Sequence, residues 1–199
     1  MILNIQNITK SFGKKEVLKG ISFNLEKGKL YGIVGENGSG KSTLLKIIIG
    51  LLKADNGIIN INGEVGYCPQ KPLLFSQLTI AEHIQYFGSA YNLKKIDYEK
   101  QFNYFLKHFN FEKFKYDKVE ILSGGTKQKL NLTLALLPDP ELLILDEPYN
   151  GFDWDTYMKF WDLADRLLNK GCTILIVTHF LNETDRFNCI FNLKNGYLS

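Results

Sequence analysis

The run GENGSGKST at residues 35–43 constrains this chain more than any other stretch. It has the spacing of a phosphate loop and stands between an apolar, β-rich run, LYGIV, and a segment from Lys41 to about Leu51 whose apolar spacing is helical. A strand, a glycine loop and a helix in that order belong to α/β folds. Gly35, Gly38 and Gly40 leave room for the backbone to wrap phosphate oxygens, and a helix start adds partial positive charge. Lys41 supplies a cation for the β- and γ-phosphates, and Ser42 a hydroxyl suited to Mg²⁺.

The same rhythm continues along the chain. LNIQNI and VLKGISFNL read as strands before the loop. LLIL at 142–145, a helix carrying Trp154, Tyr157, Met158, Trp161 and Ala164, and the strand TILIV at 173–177 follow later, with Gly171 as a helix stop. Strands apolar on both faces and alternating with helices predict a mainly parallel sheet covered on both sides. Between Pro72 and Leu122 helical spacing takes over, at Ile80, Ile84 and Phe87 and then at Tyr98, Phe102, Phe105, Leu106 and Phe109. The expected fold is therefore an α/β P-loop NTPase core with a mainly parallel sheet, an N-terminal antiparallel β region and an inserted helical lobe. One domain covers 1–199, and the lobe occupies approximately 72–137.

Composition narrows the function. With 199 residues, 45% of them hydrophobic, the chain can bury a real core. A net charge of +3, with acids mixed among the bases, gives no nucleic-acid face. Three widely spaced cysteines, Cys68, Cys172 and Cys189, form neither a disulfide framework nor a zinc pattern and fit a reducing compartment. The N-terminus MILNIQNITK carries no secretion signal, and the most apolar window, LLKIIIGLL at 44–52, is far short of a membrane span. A cytoplasmic chain is expected, reaching a membrane only through a partner.

LLILDEP places Asp146 and Glu147 at the end of a buried strand, where open α/β sheets bind their ligands. Asp146 is the candidate to hold Mg²⁺. Glu147 is the candidate to orient or deprotonate the attacking water. His179 ends the strand TILIVTH and so reaches the same edge, while His83 and His108 read as surface residues of the lobe. A second phosphate-binding element, LSGG at 122–125, opens a helix running to about Leu137. A helix cap explains Ser123 but leaves Gly124 and Gly125, poor helix formers, without a reason inside the chain.

The phosphate loop, Gln70 in VGYCPQ, LSGGTKQKL, LLILDEP, Asp153 and His179, in this order and spacing, resemble the nucleotide-binding subunit of an ATP-binding cassette transporter over almost the whole chain. The resemblance implies an ATPase that dimerises on ATP and powers a separate transmembrane permease, with no nucleic-acid partner. It implies that Asn37, Ser39 and Thr43 join the loop glycines, Lys41 and Ser42 in binding ATP. Phe12 would stack on adenine, Gln70 would sense Mg²⁺ and the membrane partner, and His179 would contact the γ-phosphate. It further implies that two cassettes pack head to tail, so that Ser123, Gly124, Gly125 and Asp153 serve the partner's nucleotide.

Thr126, Lys129 and the run NGFD at 150–153 depart from the family's usual residues, but none of them removes a phosphate or Mg²⁺ ligand. The competing readings are a soluble cassette ATPase, such as one for iron–sulfur cluster assembly, and a catalytically dead ATP-dependent dimerisation module. The short segment between Gly40 and Ser123 leaves no room for the long coiled coil of DNA-repair cassettes. Glu147 and His179 argue against the inactive module. No regulatory domain is expected after the last strand, and Leu73, Leu74, Phe75 and Leu78, beside Gln70, are expected to dock a short helix of the membrane partner.

Overall fold

A computed structural model describes residues 1–179 and 184–199. Among the described residues two sheets form. The N-terminal sheet is antiparallel, with β1 (Leu3–Phe12) between β2 (Lys15–Leu25) and, later in the chain, β4 (Asn56–Ile61). β3 (Leu30–Val34) runs into the phosphate loop and then into α1 (Lys41–Ile48). After β4 come β5 (Val65–Cys68), α2 (Ile80–Ala90), α3 (Lys95–His108) and α4 (Gly124–Leu136). β6 (Leu142–Asp146), α5 (Trp154–Asn169), β7 (Thr173–Thr178), β8 (Cys189–Lys194) and β9 (Tyr197–Leu198) complete the order.

The second sheet runs β5-β6-β7-β3-β8-β9, parallel throughout except for the closing β8–β9 hairpin. Its central strands alternate cores residue by residue. Leu143, Leu145, Ile174 and Ile176 join a cluster with α3, α4 and α5, whereas Leu142, Ile144, Leu175 and Val177 join one with α1 and the antiparallel sheet. The near-continuous apolar strands of the sequence thus reflect burial on both faces.

Side-chain caps mark helix starts both inside and outside the 72–137 segment. Thr79 and Glu82 form a reciprocal capping box at α2, and Asp153 caps α5 by accepting from the Thr156 N–H at 2.7 Å. Gly171, at φ 89°, follows the C-cap of α5 as the sequence predicts. Tyr98, Phe102, Phe105 and Leu106 form the buried face of α3.

Two expectations need correction. His83 is buried, not a surface residue: Nε2 accepts the Phe75 N–H at 2.9 Å while Nδ1 lies 2.8 Å from the Thr79 carbonyl, and burial lowers its pKa. This ring pins the KPLLFSQ loop to the start of α2. His108 is half-buried, stacked on Tyr104 with Nε2 at 2.8 Å from the Lys159 carbonyl. The expected helix is present as α5, with Phe160, Trp161, Leu163 and Ala164 on its buried stripe and Trp154 and Met158 exposed.

Candidate nucleotide site

β3 delivers Gly35 to the loop at a point where no side chain fits: a Cβ there would lie 2.4 Å from the Leu193 carbonyl of β8. Gly38 and Gly40 follow at φ 81° and 110°, and α1 begins at Gly40 without any side-chain cap, leaving its first N–H groups to face a ligand. Lys41 folds back under the loop. Its Nζ donates to the Gly35 and Glu36 carbonyls at 2.6 and 3.1 Å, which fixes the cation at the centre of the cradle.

Around the loop lies a cleft of about 370 Å³ that brings together Phe12, Asn37, Gly38, Gly40, Lys41, Ser42, Thr43, Gln70, Asp146 and Glu147. Phe12 reaches it because it pairs with Lys15 across the tight β1–β2 turn, and the residue is 52% exposed. Gln70 arrives from the end of β5, and Asp146 and Glu147 from the end of β6. Gly35 and Ser39 face an adjoining cavity of about 860 Å³ bordered by residues 192–196, and the Ser39 hydroxyl oxygen is buried without a partner. Lys15 and Val17 also line the cleft. Their only sequence signal was proximity to Phe12.

Asp146 is buried, and burial first, then the neighbouring Glu147 carboxylate, pushes its pKa up to about 6, with Lys41 opposing. Glu147 follows with φ 49°, a left-handed backbone rare for a glutamate, held by its N–H donating to the Val177 carbonyl at 2.8 Å. Its carboxylate is fully engaged. Oε2 accepts from the Thr178 hydroxyl at 2.8 Å, and Oε1 takes the His179 N–H at 2.8 Å and lies 2.7 Å from His179 Nδ1. Thr178 is a contact that the sequence did not single out, since a threonine ending a buried strand has no distinctive signal.

Ser123, Gly124, Gly125, Asp153 and His179 do not line the cleft. Ser123 caps α4, accepting the Thr126 N–H at 3.2 Å, and the Thr126 hydroxyl lies 2.9 Å from the Ser123 hydroxyl. Gly125 has a reason within the chain after all: a Cβ would sit 2.6 Å from the Gly151 carbonyl, whereas a Cβ on Gly124 would meet open space. Lys129 donates to the Phe109 carbonyl at 3.0 Å, a single bond that a lysine supplies as well as an arginine.

The donor set suits a nucleoside triphosphate: free helix-start N–H groups, an unpartnered Ser39 hydroxyl and a caged ammonium all face one loop. For Mg²⁺, Ser42 and the Asp146 carboxylate offer oxygen ligands, with room left for phosphate oxygens and water.

The family pattern described as ABC transporter matches residues 18–150. An uncharacterized ABC transporter ATP-binding protein of Methanocaldococcus jannaschii is 33% identical over 98% of this chain and 74% of its own length. The linearmycin resistance ATP-binding protein LnrL of Bacillus subtilis is 34% identical over 92% of this chain, which spans 63% of that protein's length. A dimeric ATP-binding cassette solved in a post-hydrolysis state with ADP and Pi is 27% identical and matches with a TM-score of 0.90, over 100% of this chain and 97% of that one. The chain therefore belongs to the ABC transporter family, as one of its ATP-binding, ATP-hydrolysing cassettes.

Proposed function

We propose that residues 1–199 act as one cassette of a dimer that spends ATP to drive a cargo through a separate membrane-spanning partner. One observation carries this reading: the cleft gathers an adenine platform, a phosphate cradle and two carboxylates in a single chain, while Ser123 and Gly124 stand exposed elsewhere. A site completed by the facing chain fits that separation.

In this reading Phe12 stacks on adenine, and the loop from Gly35 to Thr43 wraps the phosphates around Lys41. Ser42, Gln70 and Asp146 would hold Mg²⁺, which when bound would neutralise phosphate charge. Glu147 accepts a proton from the water that attacks the γ-phosphorus, and the bond from that phosphorus to the β,γ-bridging oxygen breaks to release ADP and phosphate. For this Glu147 must leave the grip of Thr178 and His179. The imidazole of His179, whose side chain is 58% exposed, then turns to the γ-phosphate. Ser123, Gly124, Gly125 and Asp153 contact the partner's nucleotide, Gly125 through its backbone, with Asp153 also capping its own helix.

The 72–137 segment serves as the lobe that meets the permease. Leu73 and Phe75 are exposed, while Leu74 and Leu78 are half-buried, so the docking surface narrows to the first two and the neighbouring Tyr86. No helix among the described residues is long and apolar enough to cross a membrane, so we assign the span to the partner and the cassette to the cytoplasmic face. The transporter relatives favour this over a soluble assembly ATPase. Purification of the tagged chain from its own membranes tests it: a co-purifying integral membrane protein is expected, and recovery with soluble assembly proteins alone overturns it.

A further inference from the structure

Two carboxamides lie where a helix would ordinarily bury only apolar groups. Gln128 and Asn131 on α4 are 3% and 5% exposed, among buried leucines. A buried amide without partners is destabilising, so their partners say what they are for. Those partners lie off the helix. Asn131 Nδ2 donates to the Pro69 carbonyl at 2.8 Å and approaches Cys68 Sγ at 3.2 Å, and Gln128 Nε2 reaches the Pro148 carbonyl at 3.4 Å. Pro69 immediately precedes Gln70, and Pro148 immediately follows Glu147. If these amides only needed to satisfy each other, they would pair along the helix. That contact is long, 3.5 Å, whereas Asn131's short bond goes to Pro69; Gln128 reaches off the helix at 3.4 Å to Pro148 and 3.9 Å to Cys68 Sγ.

We infer that Gln128 and Asn131 are positioning residues for ATP hydrolysis. They hold the loops carrying Gln70 and Glu147 at a fixed offset from the helix that begins with Ser123 and Gly124. One rigid helix thereby ties the chain's own hydrolytic groups to the element that serves the partner's nucleotide. This rests on the ATPase reading above, but its test includes a readout that needs no ATP.

The test uses the full chain with Cys189, the exposed thiol, replaced by serine. Asn131→Leu keeps the volume and removes the donor. Cys68, buried beside Asn131, then reports on the Pro69–Gln70 loop through its rate of reaction with a thiol reagent, while buried Cys172 serves as the internal control. Cys68 labelling is expected to accelerate at least about tenfold with Cys172 unchanged, because the Pro69–Gln70 loop is freed and the Cys68 sulfur loses its amide neighbour while the rest of the core stays closed. In ATPase assays kcat should fall about tenfold with KM for ATP within about twofold, since Lys41 and the glycine loop are untouched. Gln128→Met should give the same kcat loss and covers the case in which Asn131→Leu does not fold. Equal acceleration of both cysteines, a loss confined to KM, or unchanged kcat in both variants overturns the inference. Absence of ATPase in the parent chain would refute the functional reading instead and leaves the labelling ratio to judge the bridge.

Discussion

Glu147 and Asp146 are adjacent, yet the fold treats them differently. Glu147 has three donors on its carboxylate, whereas Asp146 is buried and raised to about 6 from 3.8. The folded chain therefore holds a proton at Asp146 more readily than the unfolded chain does. That contribution to stability is present below pH 3.8 and is lost as pH rises through about 6. Asp146→Asn should consequently stabilise the nucleotide-free protein at pH 7 by about 1–3 kcal/mol and have little effect below pH 4, as read by paired denaturation curves. A difference that does not change with pH would refute it. Glu147→Gln should keep ATP bound while hydrolysis drops at least about a hundredfold, because an amide is a far weaker base. The phosphate-loop residues and the acid pair were legible from spacing alone. The lock on Glu147 was not, since it depends on a left-handed φ and a through-space contact from β7 to the end of β6.

In α4 the two glycines of the helix start have different surroundings. Its sequence pattern shows where it starts, but only the packing of Gly151 on Gly125 separates the two glycines by role. Gly125→Ala should lower stability by about 1–3 kcal/mol, whereas Gly124→Ala should fold normally, as thermal unfolding of the two variants would show. Equal stability of both would contradict the close approach. β4 escaped the sequence reading for a related reason: Ile58 in NGIINI is exposed, so the strand lacks the apolar run that marked its neighbours. The burial of His83 is not legible in the sequence, because a histidine on an amphipathic helix gives no sign that a loop will fold over it. That loop makes a further prediction. Its tie to His83 runs through the Phe75 backbone, so Phe75→Ser should leave the fold and ATP binding intact while co-purification with the membrane partner is lost. Unfolding of the variant would show that Phe75 serves the lobe's own core.

At the scale of the whole molecule, each chain carries a phosphate cradle and, away from it, a serine–glycine helix start. The parallel sheet and its two cores were legible because apolar strands alternating with helices admit few arrangements. If one site is divided between two chains, two chains inactivated on opposite sides of it complement each other on mixing. Lys41→Ala removes the cation of a chain's own cradle, and Gly124→Asp puts a negative charge at the exposed helix start without the clash that Gly125 would suffer. Each variant alone should be inactive. In a mixed dimer one site combines both defects and the other is whole, so random pairing should restore hydrolysis toward about a quarter of the wild-type rate. The contradicting result is a mixture that stays inactive although mixed dimers form, while a wild-type chain paired with a chain carrying both substitutions keeps its activity.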